Sequence, residues 1–264
     1  MVLAALRSWR RDRILRQANL DERLWRDTVR HFPFARTLPE ADLRRLRDLV
    51  VLFLHDKDFA TAHGLALTAR MQMWVGIQAC ILILNLGLDW YRGWSGIVLY
   101  PAQFVPRHQH TDEIGVVHQG DEPYSGEAWL GGPVVLSWAD VQGTDIDDGV
   151  NVVIHEFAHK LDMRNGDANG FPPLHADMQR QAWAHALSSA YQDFCARVDQ
   201  GEDTRIDPYA SESPAEFFAV LSEAFFETPY VVDDEYPAVY AQLTQFYRQD
   251  PGQRLRSHVR RSTA

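Results

Sequence analysis

A chain of 264 residues has room for one large domain or two small ones. Hydrophobic residues make up 46% and charged residues 23%, so a sizeable core can form and global disorder is excluded. Lys and Arg number 26 against 36 Asp and Glu, a formal net charge of -10, and this acidic balance argues against direct binding to nucleic acid.

The N-terminus, MVLAALRSWRRDRILRQ, has an apolar part (Val2 to Leu6) too short for a signal-peptide core, and its arginines follow that part instead of preceding it. Two cysteines, Cys80 and Cys195, are too few for a disulfide framework or a four-cysteine zinc site and suit a reducing compartment. A soluble, cytoplasmic location is therefore expected. Leu15, Leu20, Leu24 and Val29 recur near helical spacing, and Glu40 to Phe53 gives a second helical run, with Pro33 and Pro39 as punctuation. Arg mixed with Asp and Glu along this front is the pattern of a solvated helix face.

A long apolar helix is predicted over roughly 62–88, ending near Gly87. Its stretch from Met73 to Leu88 falls short of the about 18–20 residues of a membrane span and carries Gln78 and Asn85. It reads as a buried core helix, with no membrane partner. Beyond residue 95, SGIVLYPAQFV and GPVVLSW are β-branched and aromatic runs bounded by Gly and Pro, hence strands. A polar stretch separates them, and after residue 148 the pattern is again mostly helical. The expected fold class is α+β, one unit over 1–264 with a helical N-terminal portion to about residue 92.

The strongest motif is His155-Glu156-Phe157-Ala158-His159. Two His at i and i+4 lie one turn apart on the same helix face, so both imidazoles can meet one ion. Glu156, beside the first of them, is placed to take a proton from a zinc-bound water instead of binding the metal. Asp145, Asp147 and Asp148 can cap this helix, Val152, Val153, Phe157 and Leu161 form its apolar face, and Asn165-Gly166 stops it.

Catalytic zinc sites use three protein ligands and one open position, so a third ligand must come from elsewhere. No three-histidine continuation follows His159. His175, in the loop FPPLHAD, is one candidate, and a helix-borne Glu is the other. The segment SESPAEFFAVLSEAFFE holds Glu216 and Glu223. Ser213, Pro214 and Glu216 fit N-cap, N1 and N3, so Glu216 can simply cap its own helix. That helix is apolar almost all round, however, and a buried anion needs a partner such as zinc. Glu223, two turns on, and Asp162, seven residues after His155, can each accept a hydrogen bond from a ligand His. Tyr209, upstream of Glu216, can donate to an oxyanion.

These residues carry a resemblance. HEFAHKLDMRNGDANG, preceded by GEAWLGGPVVLSWADV and followed by SPAEFFAVLSEAFF, resembles the Mlc titration factor A family, the glucose-regulated metallopeptidases of bacteria, from the first helices to about residue 250. Around the metal that family is similar to the catalytic domain of anthrax lethal factor, with a Tyr ahead of the ligand Glu at the spacing of Tyr209 and Glu216. The resemblance implies a zincin-like fold, mostly helical with a small sheet beside the His-Glu helix, and a catalytic portion over 93–264. It implies one zinc ion on His155, His159 and Glu216, with Glu156 as general base and Tyr209 polarising the scissile carbonyl. It also implies aminopeptidase activity on peptides and binding to Mlc, a transcriptional repressor of glucose-uptake genes.

In such peptidases an edge strand beside the metal helix pairs with the substrate backbone, and Gly131 to Trp138 is the candidate for it, an ordinary core strand being the equal alternative. His108, His110, Asp112 and Glu113 read as a polar loop, a second metal site being the weaker alternative. A non-catalytic repressor-binding protein with a structural or vestigial zinc site competes with the peptidase reading. Glu156 argues against it, since a structural site needs only its ligands. A metal-dependent hydrolase of non-peptide substrates is a third possibility.

Overall fold

Local cap chemistry starts the helices of the first third. In a computed structural model of the chain, which describes residues 2–103, 109–111, 117–119, 126–143 and 149–262, the Asp21 carboxylate accepts the amides of Arg23 and Leu24 at 2.9 and 3.0 Å. This opens α2 (Glu22–His31), after α1 (Val2–Gln17) and ahead of a short α3 (Pro33–Arg36) and α4 (Glu40–Asp56). Thr68 likewise caps α5 (Ala69–Leu82), accepting from the Met71 amide at 3.2 Å.

The long helix expected over 62–88 is thus shorter at both ends. Before it, residues 58–61 form β1 (Asp58–Thr61), a strand whose alternation is too brief to stand out and which exists because it pairs in parallel with β2 (Gly96–Tyr100). After it, Gly87 turns the chain at φ 86. Within this apolar stretch the Gln78 Nε2 donates to the Trp74 carbonyl at 3.0 Å and Asn85 Nδ2 to the Arg248 carbonyl at 2.6 Å, so both amide nitrogens find protein partners. Among the described residues no helix is long and apolar enough to cross a membrane.

The fold is α+β, zincin-like and mostly helical. A four-stranded sheet has the order β1, β2, β6 (Val134–Ser137), β5 (Gly126–Ala128), with the first three parallel and β5 antiparallel at the edge. This corrects one expectation. The strand inside Gly131 to Trp138 is not an edge: β6 is hydrogen-bonded on both sides and all four of its residues are buried. An uninterrupted apolar run is the mark of a strand covered on both faces. A two-stranded ribbon of β3 (Gln109–Thr111) and β4 (Val117–Gln119) lies outside this sheet. The His108 to Glu113 cluster otherwise lies outside the described residues.

After α6 (Trp138–Gly143) comes α7 (Val152–Asp162), packed against α5, β5 and the later helix α9 (Pro214–Glu227). Phe157 of α7 fills the centre, with its ring 5.2 Å from Tyr91 and 5.7 Å from both Phe53 and Trp94. One cluster of buried apolar residues runs from Trp25 to Tyr247. Between α7 and α9 lies α8 (Arg180–Asp199), and α10 (Pro229–Glu235), α11 (Pro237–Tyr247) and α12 (Pro251–Ser262) complete the chain.

Two buried lysines tie loops to this core. Lys57 donates to the Tyr91 and Trp94 carbonyls at 2.7 and 2.6 Å, and Lys160 donates to the Trp129 and Gly132 carbonyls. Both ammonium groups sit on the Trp94 ring, 4.0 and 4.9 Å from its centroid. Burial lowers the basicity of both, that of Lys160 to about 8. Lys160 therefore fastens the turn between β5 and β6 to α7, and with it the sheet edge.

Candidate metal centre

The metal-binding face is set by how α7 begins. Asn151 is its N-cap, and the side-chain oxygen accepts the Ile154 amide at 3.0 Å. The acidic residues proposed for this role, Asp145, Asp147 and Asp148, lie outside the described residues. Asn151 is buried and clamped from α9: its amide N–H donates to Glu223 Oε2, and its Nδ2 donates to Glu227 Oε1 at 2.7 Å. Two carboxylates at the start of α7 also oppose the positive end of its dipole. Asn151→Ala is expected to cost about 1–2 kcal/mol of stability, the usual worth of a cap, read from urea unfolding.

From this start, His155 and His159 fall on one face with ring centroids 4.8 Å apart. Ser213 caps α9 and accepts the Glu216 amide at 3.1 Å, while the Glu216 carboxylate turns to the two imidazoles. Its Oε2 lies 2.9 Å from His155 Nε2 and 3.3 Å from His159 Nε2, and the two Nε2 atoms are 3.1 Å apart. Ser213 is therefore the cap, and the Glu216 carboxylate, instead of closing a capping box, is turned to the histidines. His155, His159 and Glu216 form a group whose ligand atoms all lie within 4.8 Å of one another.

The donor set fits a metal ion. His155 Nδ1 lies 2.7 Å from Glu223 Oε1, and with the carboxylate ionised the imidazole is the donor. In a neutral ring that leaves Nε2 as a lone pair, aimed at a carboxylate oxygen and at a second imidazole nitrogen. A cation reconciles three such electron-pair donors. Their spacing is also close to the about 3.3 Å between neighbouring ligands in a tetrahedral zinc site with bonds of about 2.0–2.1 Å.

Charge follows the same geometry. For His155, burial alone would lower the pKa, but Glu223, Glu216 and Glu156 outweigh it and raise it well above the ordinary histidine value, so a proton competes with a metal ion for Nε2. For Glu216, burial acts upward but the two imidazoles prevail and hold it below the usual carboxylate range. Burial pushes Glu223 up against the pull of His155, and pushes Glu156 up to about 7 against His155 and His159. Glu156 is 5% exposed and its Oε2 meets no hydrogen-bonding partner among the described residues.

The remaining candidates are placed as follows. Tyr209 stands on a 3-10 turn, Pro208–Ser211, with its amide capped by Asp207 at 2.9 Å and its half-exposed ring 6.0 Å from that of His155. Tyr191 of α8 holds this turn through the Ser211 carbonyl at 3.0 Å. His175 is elsewhere, bonded to the Phe246 carbonyl at 2.8 Å and packed on Trp90. Asp162 accepts the Asn169 and Gly170 amides, both at 2.7 Å, so it pins the loop after α7. Gly126, not singled out from sequence, lies against Glu156. No signal in the sequence pointed to it, since Gly126 falls in the polar stretch between the predicted strands and only the structure makes it the first residue of β5.

A zincin-like fold carrying two helical histidines and a glutamate around one point has the arrangement of a metallopeptidase. A family described as glucose-regulated metallo-peptidase M90 matches residues 6–248, and the chain belongs to that family. It is also similar to proteins named Mlc titration factor A. Those of Yersinia pestis (strain Pestoides F) and Yersinia pseudotuberculosis serotype O:1b (strain IP 31758) are each 38% identical over 235 residues, covering 88% of this chain and 86% of theirs.

Proposed function

We propose that the protein is a zinc-dependent peptidase of aminopeptidase type, with His155, His159 and Glu216 as metal ligands, Glu156 as general base and Tyr209 as oxyanion donor. The observation that carries this reading is the convergence of His155, His159 and Glu216 on one point beside a buried carboxylate that no ligand role absorbs. When bound, zinc supplies Lewis acidity, which brings the pKa of a coordinated water from about 15.7 to about 7. Glu156 takes the proton from the attacking water and returns it to the leaving amine. Tyr209, on its separate turn across His155, hydrogen-bonds the carbonyl oxygen as charge develops there. Glu223 holds the His155 ring in the tautomer that leaves Nε2 free for the metal.

The whole chain, 1–264, serves as one zincin-like unit in this reading, since β1 joins the sheet from the N-terminal portion. The relatives' name extends the proposal to a partner: the chain binds the repressor Mlc, in the cytoplasm, alongside its action on peptides. Metal analysis of the purified protein and a screen of aminoacyl and internal-peptide chromogenic substrates test the enzyme. One zinc per chain and chelator-sensitive release from aminoacyl substrates are the expected results. A metal-free protein with full activity would end the reading. Tyr209→Phe is expected to keep its zinc and lower kcat by about 10- to 10³-fold, as for loss of one oxyanion donor. Parallel zinc and turnover measurements on this variant check that outcome.

A further inference from the structure

We infer that Gly126 is a positioning residue for Glu156: the bare backbone of the edge strand sets where that carboxylate stands. A Cβ built at position 126 would lie 2.5 Å from Glu156 Oε1, 2.7 Å from its Cγ and 2.8 Å from its Cδ. All three separations are shorter than side chains tolerate, so one of the two partners would have to move. Backbone conformation gives no reason for this glycine, which lies in extended β5 opposite Leu136. As the first residue of β5, it also gives the strand no side chain to pack. Space is the remaining cause.

Neither partner has an easy retreat. The Glu156 side chain is buried, on a helix turn between His155 and His159 that packs against α5 and α9. On the other side, β5 is held in register with β6, Gly126 opposite Leu136 and Ala128 opposite Val134. The turn that follows β5 is fastened to α7 by Lys160, through the Trp129 and Gly132 carbonyls. Lifting the strand would break those bonds around a buried ammonium. The carboxylate would therefore yield, leaving its rotamer and its position beside the histidines.

The effect on turnover rests on the general-base reading of Glu156, whereas the contact does not, and the test separates the two. The variants are Gly126→Ala, Glu156→Ala and the double variant. Gly126→Ala is expected to keep one metal per chain and to lower kcat by about 10- to 100-fold, the consequence of misplacing a reacting group by about 1 Å. KM should stay within about threefold, since peptide binding is not what the clash disturbs. Its Tm should fall by roughly 2–10 °C, the range for overpacking in a domain of this size. In the Glu156→Ala background the same substitution should shift Tm by no more than about 1 °C, because the clashing atoms are gone. Equal losses of Tm in both backgrounds would overturn the inference, as would wild-type kcat in Gly126→Ala where Glu156→Gln is inactive. If Glu156→Gln proves fully active, only the general-base reading fails, and the coupling of the two Tm shifts still decides the contact.

Discussion

Glu156→Gln is expected to retain its zinc and lose turnover by about 10²- to 10⁴-fold, the usual contribution of a general base. The amide has nearly the shape of the carboxylate, so packing against Gly126 and α7 is preserved, but it cannot accept a proton. Burial already brings the Glu156 pKa up to about 7, near the operating pH, where a group takes up and gives back a proton with little cost. Zinc content by elemental analysis and kcat on a peptide substrate measure the two halves of this expectation. Near-normal turnover would remove Glu156 from the base role. Repressor binding that survives in the inactive variant would show titration and proteolysis to be separable.

The two glutamates of α9 should part company when each is cut to alanine. Glu216 meets both histidine Nε2 atoms, so Glu216→Ala is expected to abolish zinc retention through dialysis. Glu223 reaches only the far nitrogen of His155 and the Asn151 amide, so Glu223→Ala should weaken zinc affinity by about 10- to 100-fold. Removing Glu223 also frees the start of α7, and its Tm should fall together with its affinity. Zinc titration with a competing chelator ranks the three proteins. A zinc-replete, active Glu216→Ala protein would mean that the carboxylate contacts seen here are not metal ligation.

The histidine pair was legible because its geometry is local. Spacing i, i+4 places both rings on one face whatever else the chain does. Glu216 was only narrowed to one of two by its own neighbourhood, because its partners are 57 and 61 residues away. Its place in a capping motif even offered a sufficient local explanation, and the structure shows backbone and side chain serving different ends. Asp162 had suitable spacing to orient a histidine, yet its Oδ2 takes the amides of Asn169 and Gly170 and, among the described residues, no histidine bonds its Oδ1.

By itself, the sequence determined the α+β class, the buried character of residues 73–84, the His155–His159 face and the candidates for the remaining roles. These depend on periodicity, capping and short-range spacing, which act within a few residues. Only the tertiary structure decided that β5 and not β6 forms the sheet edge beside α7, that β1 exists, and that Glu223 rather than Asp162 faces His155. It alone brought Gly126 against Glu156. The reason is physical: strand order, carboxylate partners and the space left at one Cα follow from which surfaces meet, and pairings across dozens of residues leave no periodic trace in the chain.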